Sequence, residues 1–371
     1  MSKNGKILII TTLVIAIFGV VMIYSASHEV AGWHYCVKQA VSLVAGVGGM
    51  VGLMFVNPKF YRKFSLVAYI VGIVVLILVF VPGLSTTSYG ATRWIRLGFI
   101  SIQPSEIAKF CLVIFLANYV CKYDITNKPW RLVLALFLGG IYCLLIMIEP
   151  NMSITICVGV TMLFMLFVGG ARLKFFGLIS IPLVALAVLL VIIEPYRLSR
   201  IVAFLDPWQN PLTEGYQLIQ SLYAISSGGV FGVGLFHSRQ AHKFLPFAES
   251  DFIFSVIVEE LGLFGGVMLI ALFALMIVQI FKIAHRAKDK FSSLVCMGIG
   301  ALIFFQVAIN IAVVTGSIPP TGIPLPFVSA GGTSLLVFMS AIGIVLAVDR
   351  QSRREVNFSK SDVMKQKTLG N

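Results

Sequence analysis

Stretches of about 20 apolar residues follow one another almost from end to end of this chain, beginning with Ile7 to Tyr24. At a rise of 1.5 Å per residue, a helix of that length matches the ~30 Å hydrocarbon core of a bilayer. Lipid offers no partner to a backbone amide, so each stretch must satisfy its own hydrogen bonds, and helices packed together in a membrane are the outcome. Composition agrees: 58% of the 371 residues are hydrophobic and 12% are charged, against roughly 45–50% apolar in a soluble domain. The expected architecture is all-α and polytopic, with one membrane domain over residues 1–350 and a basic tail over 351–371 that is expected to be disordered. The first run is as long as a full span, so it reads as an anchor and not as a cleaved signal peptide.

Charged or Pro/Gly-rich breaks divide the runs into ten predicted helices, at 7–24, 37–56, 64–82, 105–121, 132–148, 152–170, 174–193, 252–281, 291–314 and 333–349. Loops rich in Lys and Arg stay in the cytoplasm. With the N-terminus inside, most of the 28 Lys and Arg fall on the cytoplasmic side. Both termini are therefore expected there, with a large extracytoplasmic loop between the seventh and eighth spans. The net charge of +13 becomes a topology signal with some attraction to anionic lipid, and nucleic-acid binding is not needed to explain it. Six cysteines stand singly, without CxxC spacing, and indicate neither a metal site nor a disulfide framework.

The basic residues left on the outer side are Lys38, Arg93, Arg96, Lys109, Arg197, Arg200, Arg239 and Lys243. Apart from Lys38 they fall in two segments, the loop from Gly83 into the fourth span and the long loop between the seventh and eighth. A third outer loop, "TGSIPPTGIPLPFVSAGG" from Thr315 to Gly332, is uncharged and rich in Pro and Gly. It reads as irregular backbone at membrane depth, tolerated only where protein or a wet cavity surrounds it.

Each segment holds candidates beside plainer alternatives. Arg93 suits forked contact with phosphate oxygens. Glu106 and Lys109, three apart on a predicted helix, form either a functional pair or an internal ion pair. Tyr216 to Ile225 has the pattern of an amphipathic helix, with Leu218, Leu222 and Ile225 on one side and Gln217, Gln220 and Ser221 elsewhere; such a helix can also simply lie on the membrane. In "FLPFAESDFIFSVIVEELG", from Phe244 to Gly262, Ser250 is expected to cap a helix starting near Asp251, leaving that acid ionised and reachable at the positive helix end. Glu259 and Glu260 lie about 12 Å deeper, where an ionisable group needs a partner, Lys109 being one candidate. Neither GxGxxG nor GxxxxGK[ST] occurs.

Taken together, "GATRWIRLG" followed by "QPSEIAK", then "YQLIQSLYAISSGGVFGVGLFHSRQ", "FLPFAESDFIFSVIVEELG" and "TGSIPPTGIPLPFVSAGGTSLL", spread over Gly90 to Leu336, resemble the SEDS family (shape, elongation, division and sporulation). This is the family of polytopic bacterial proteins that includes FtsW, RodA and SpoVE, and "GVGLFHSRQAHKFLP" is more similar to its FtsW and SpoVE branch. The resemblance implies a peptidoglycan glycosyltransferase that polymerises lipid II at the outer face of the cytoplasmic membrane, in division or sporulation. The family's essential acid falls in "DFIF", which puts the catalytic role on Asp251. There it would accept the proton of the acceptor sugar's 4-hydroxyl as that oxygen attacks the donor's anomeric carbon and undecaprenyl pyrophosphate leaves. For binding pyrophosphate or sugar the candidates are Arg93, Arg200, Lys243, Arg239, Gln217, Gln220 and Ser329. Glu106, Lys109, Glu259 and Glu260 are expected to be structural or coupling charges, and no metal ligand set is predicted. No cofactor is established by the resemblance, and a divalent cation at the pyrophosphate is left open. The implied partners are lipid II, a class B penicillin-binding protein, other division or sporulation membrane proteins and the bilayer.

Two departures from the family pattern stand out. Phe247 occupies a position where Glu is usual, and Ser250 replaces Thr, so Glu249 is a candidate helper for Asp251. Glu149, Pro150 and Asn151 stand where many members have Gln-Pro-Asp. Two other classes of function compete: a lipid II flippase, which would lean on midplane charges, and a non-catalytic scaffold, which would need no acid at all.

Overall fold

The computed structural model describes residues 1–88, 91–97, 100–175, 177, 195–213 and 215–369. In chain order these form α1 (Lys3–Ala31), α2 (His34–Met54), α3 (Pro58–Lys63) and α4 (Ser65–Leu78), then strands β1 (Ser85–Ser88), β2 (Ala91–Leu97) and β3 (Ile100–Ile102). After the sheet come α5 (Pro104–Lys122), α6 (Pro129–Ile148), α7 (Met152–Val168), α8 (Pro195–Leu205), α9 (Tyr216–Gly228), α10 (Arg239–Lys243), α11 (Ile253–Arg286), α12 (Lys290–Val314) and α13 (Gly332–Leu369). Seven of the helices are long and apolar enough to cross a membrane, and α4 and α7 are shorter apolar helices. Every predicted span except 174–193 coincides with one of these nine. That span lies, beyond its first residues, outside the described residues, as does the side chain of Arg197.

Three differences from the sequence reading have physical causes. First, the loop after Gly83 is an antiparallel sheet of order β1-β2-β3. The β-branched and aromatic residues of "ATRWIRL" suit a pleated strand, and Thr333 Oγ1 ties the sheet to α13 through the Ser101 carbonyl at 2.7 Å. Second, the backbone of α13 continues as helix to Leu369, through the tail expected to be disordered; no Pro or Gly interrupts it between Arg350 and Leu369.

Third, α11 is broken at Gly262, whose φ is +71°. A helix break inside a membrane leaves backbone groups unpaired, and here the chain after α9 supplies the partners. Val233 and Gly234 N–H donate to the Glu259 and Glu260 carbonyls at 2.9 and 3.0 Å, and Leu263 and Phe264 N–H donate to the Gly229 and Val230 carbonyls at 2.9 and 3.2 Å. Glycine is required at the contact: a Cβ on Gly232 would stand 2.1 Å from the Glu260 carbonyl oxygen, and one on Gly262 would stand 2.2 Å from that of Val230. Thus "SSGGVFGVGLF" is a plug fitted into a split helix.

The two ends of the bundle differ. At one end Ser2 donates from its backbone N to Asp349 at 2.9 Å, and its hydroxyl bonds the same carboxylate. Lys288 and Asp289 border the same small cleft as Val348 and Gln351. At the other end Ala330, just before α13, donates to the Glu249 carbonyl at 2.8 Å. Gly332 and Asp349 are separated by about 26 Å of helix at 1.5 Å per residue, so Asp251 and the N-terminus lie at opposite faces.

Candidate functional site

Asp251 lies two residues before α11 starts. The expected Ser250 cap does not form: Phe252 holds the cap position without a side-chain bond, and Ser250 Oγ instead donates to Asp251 Oδ1 at 3.2 Å. The reason lies in how the segment is pinned. Its three consecutive carbonyls are taken by the C-terminal region, Glu249 O by Ala330 N, Ser250 O by Ser329 Oγ at 2.6 Å, and Asp251 O by Asn310 Nδ2 at 2.9 Å. Phe247, at φ +57°, bends the chain into that path, a left-handed conformation that costs a non-glycine residue about 1–2 kcal/mol.

Facing Asp251 is the uncharged loop, wrapped in protein. Asn310 Nδ2 holds its Ile323 carbonyl at 2.7 Å, Gln306 Nε2 holds Pro324 at 3.0 Å, and Ser329 Oγ accepts from Leu325 N at 2.7 Å. Gly322, at φ +68°, sits directly against the acid: a Cβ there would be 3.2 Å from Asp251 Oδ2. Ser329 was a candidate for substrate binding, but its side chain is buried and its hydroxyl is committed to backbone on both sides, so it braces the loop.

Burial raises the pKa of Asp251, which corrects the expectation of an ordinary, freely ionised surface acid; the Ser250 hydrogen bond and the positive charges of Arg93 and Arg200 act the other way. Glu249, nearby and half-buried, adds a smaller upward push. The guanidinium of Arg200 donates to the Pro320 carbonyl at 2.9 Å, and that of Arg93 donates to the Glu149 carbonyl at 3.3 Å and to Pro150 O. Ser153, in the first turn of α7, bonds the Thr321 carbonyl. Arg93, Arg200, the ends of α6 and α7 and the Pro320–Ile323 backbone thus surround one acid.

Glu149 belongs to this cluster and was not among the predicted site residues. Its side chain is fully buried, and neither carboxyl oxygen finds a hydrogen-bond partner among the described residues. Burial pushes its pKa up to about 8, with Arg93 pulling the other way. A signal was present in "EPN": an acid immediately after α6 faces the negative end of the helix dipole, where carboxylates are disfavoured.

The other predicted residues lie elsewhere. Arg239 and Lys243 point to the exposed side of α10, and the positive charges acting on Asp251 are Arg93 and Arg200. Gln217 and Gln220 are half-buried on α9, which packs on α11 with Gly228 against the Val258 carbonyl and sends Ser221 Oγ to the Val314 carbonyl at 2.8 Å. This helix is therefore held by protein and is not simply laid on the membrane. Lys109 pairs with Glu106 at 2.9 Å and with Gln306 Oε1 at 2.7 Å, lies over the Phe338 ring, and is not the partner of Glu259 or Glu260. Ser334 Oγ completes the Glu106 carboxylate at 3.0 Å. Glu260 accepts from Ser25 Oγ at 2.6 Å and Ser238 N at 3.3 Å, while Glu259 accepts from Ser238 Oγ and from Arg239 N at 3.1 Å, at the start of α10.

The fold and this geometry define a polytopic membrane protein with one part-desolvated carboxylate, flanked by two arginines, at the face opposite its N-terminus. Such a group can take a proton from a hydroxyl while the arginines hold an anion. A family model described as "Cell cycle protein", covering FtsW, RodA and SpoVE, matches residues 6–354, and the chain belongs to this family. Stage V sporulation protein E of Bacillus subtilis is 39% identical over 361 residues, 95% of this chain and 98% of that protein. A "Probable peptidoglycan glycosyltransferase FtsW" of Nitrosomonas europaea is 39% identical over 363 residues, covering 94% and 93%. Among solved structures, a chain of "Structural coordination of polymerization and crosslinking by a peptidoglycan synthase complex" superposes with TM-score 0.80 at 27% identity, covering 93% of this chain and 97% of that one. RodA of Thermus thermophilus gives 0.71 at 26%, covering 93% and 96%.

Proposed function

We propose that this chain is a peptidoglycan glycosyltransferase that polymerises lipid II at the outer face of the cytoplasmic membrane, in division or sporulation. The observation that carries the reading is Asp251, half-buried, flanked by Arg93 and Arg200, and set on the face opposite the N-terminus. The charge distribution puts that terminus in the cytoplasm, so the acid faces outward. The relatives named as peptidoglycan glycosyltransferases, matched over nearly their whole length, support the same reading.

In this mechanism the acceptor's 4-hydroxyl oxygen bonds to the donor's anomeric carbon as the bond from that carbon to the pyrophosphate oxygen breaks. The proton passes to the Asp251 carboxylate, whose raised pKa makes it a stronger base than an exposed aspartate; general-base help of this kind contributes a typical factor of 10² to 10⁴. Arg93 and Arg200 offset the charge gathering on the leaving pyrophosphate, in a site dry enough for that help to count. Around Asp251 no three His, Cys, Asp or Glu side chains converge among the described residues. A divalent cation there would depend on the pyrophosphate for most of its oxygen ligands.

The charges a flippase would use, Glu106, Lys109, Glu259 and Glu260, are committed to internal partners, which favours polymerisation. A partner of the penicillin-binding class is expected, in keeping with the synthase complex of the structural neighbour. The test is polymer formation from labelled lipid II by the purified protein with such a partner, wild type beside Asp251→Asn at equal folded amount. Polymer from wild type and a rate lower by about 10² to 10⁴ from the folded variant is expected; equal polymer from both would remove Asp251 from the chemistry.

A further inference from the structure

Away from Asp251, three side chains meet where the C-terminal end of α1 touches α10. His28 and Glu29 lie in the last turns of α1, His242 lies on α10, and one ligand atom of each falls within 4.8 Å of the others. The His28 and His242 rings are 4.7 Å apart between centroids. More than 200 positions of sequence separate the two histidines, so no spacing motif announces the group.

Three features set it apart from a chance meeting of polar side chains. Both ring nitrogens of His242 are buried, and among the described residues neither makes a well-formed hydrogen bond, although the Phe236 backbone acts on the ring. A buried polar atom left this way costs about 1–3 kcal/mol. His28 is oriented from behind: its Nδ1 is 3.0 Å from the Ser25 carbonyl. A carbonyl can only accept, so Nδ1 carries the proton and the Nε2 lone pair is left for a ligand, the arrangement that metal-binding histidines use. Finally, the ring is walled in by Tyr24, at 5.5 Å between centroids, and Phe236, at 6.0 Å. These aromatic neighbours limit its rotation.

We propose that His28, Glu29 and His242 bind a divalent transition-metal ion, with Zn²⁺ the best match, that clips the end of α1 to α10. Two neutral imidazoles and a carboxylate are a familiar three-ligand set for zinc, with water in the fourth position. Bonds of about 2.0–2.1 Å place tetrahedral ligand atoms about 3.4 Å apart, so from within 4.8 Å the group needs to draw in by at most about 1.4 Å, within reach of side-chain rotation, chiefly of the exposed Glu29. The clip would reinforce a junction already built from buried polar bonds: Ser25 of α1 to Glu260, and Glu259 to Ser238 and Arg239 at the start of α10. From α10 the chain runs directly to Asp251, so the metal would brace the segment that carries the acid. This site does not depend on the catalytic reading.

The test uses the full-length protein in detergent, freed of any polyhistidine tag, stripped with chelator and titrated with Co²⁺ and then Zn²⁺. One Co²⁺ per chain with the visible absorption of a tetrahedral ion, displaced by Zn²⁺, is expected. His28→Gln, Glu29→Gln and His242→Gln should each weaken binding at least tenfold, and added Zn²⁺ should raise the thermal midpoint of wild type but not of the His242 variant. Because wild type alone reports stoichiometry and geometry, a variant that fails to fold does not spoil the test. Absence of a 1:1 complex at micromolar metal, or binding that survives in all three variants, would overturn the proposal.

Discussion

Two groups of acids, one inside α11 and one gathered around Asp251 just before it, are built oppositely. Around Glu259 and Glu260 the carboxylates are saturated: Ser25, Ser238 and backbone amides supply donors to both. Around Asp251 the described side-chain donors are few, one Ser250 hydroxyl on Asp251 and none on the buried Glu149. Backbone carbonyls in this second group are nonetheless held firmly, those of Glu249, Ser250 and Asp251 each by a partner from the C-terminal region. The first arrangement spends its donors on locking helices together; the second fixes the frame and leaves the acids unspent. An acid short of partners inside a rigid frame is what a proton-transfer site requires.

The sharpest way to break this contrast is through the charge that faces the open group. Arg93→Ala should lower the polymerisation rate per folded molecule by about 10² to 10³, the usual loss when one donor to a developing anion is removed, and should cost about 1–3 kcal/mol of stability because the Glu149 and Pro150 carbonyls lose their donor; a rate within threefold of wild type would remove Arg93 from the site. Next is Glu149→Gln. Because the folded-state pKa is raised to about 8 from 4.5, the stability of the wild type is fully present below about 4.5 and falls as pH rises toward 8. The variant carries no such loss. Its advantage should grow over that window by about 1.4 kcal/mol per pH unit at most, read as diverging melting midpoints; parallel midpoints from pH 5 to 8 would show that Glu149 is not buried as an orphan.

Sequence reading reached the bundle, and the reason is physical: apolar runs of spanning length have one stable outcome in lipid, so all the testable predicted spans reappear as helices. The candidate role of Asp251 comes from the resemblance of "DFIF" to the family motif, whereas Arg93 and Arg200 stand out, together with Arg239 and Lys243, because basic residues on the outer side are not explained by topology. Glu149 is legible as a departure from the family's Gln-Pro-Asp but not as a site residue, since the sequence does not show that Arg93 and the turn into α7 close over it. The break at Gly262 was invisible for a similar reason: its hydrogen bonds go to Gly229 and Val230, and only their meeting in space makes the interruption affordable in lipid. Lys109 went to Glu106 and not to the deeper glutamates because the near partner lay one helical turn away on α5.

Two smaller effects sharpen the comparison from the saturated side and at the loop. Ser238→Ala removes a donor to Glu259 and the cap of α10 together, and should cost about 1–3 kcal/mol in unfolding while leaving the rate per folded molecule much less changed than Arg93→Ala does. If the rate falls a hundredfold with stability intact, the division between structural and catalytic acids fails. Gly322→Ala places a Cβ against Asp251 at a positive φ and should cost about 1 kcal/mol with a several-fold slower rate. Wild-type kinetics and stability together would show that the loop does not press on the acid.

The most direct measurement is the pH dependence of the polymerisation rate at saturating lipid II. A base whose pKa is raised by burial predicts an acid limb with its midpoint above the ordinary carboxylate value of about 4, and no such limb in the residual activity of Asp251→Asn. A midpoint at or below 4, or the same limb in wild type and variant, would contradict the assignment of Asp251 as the base.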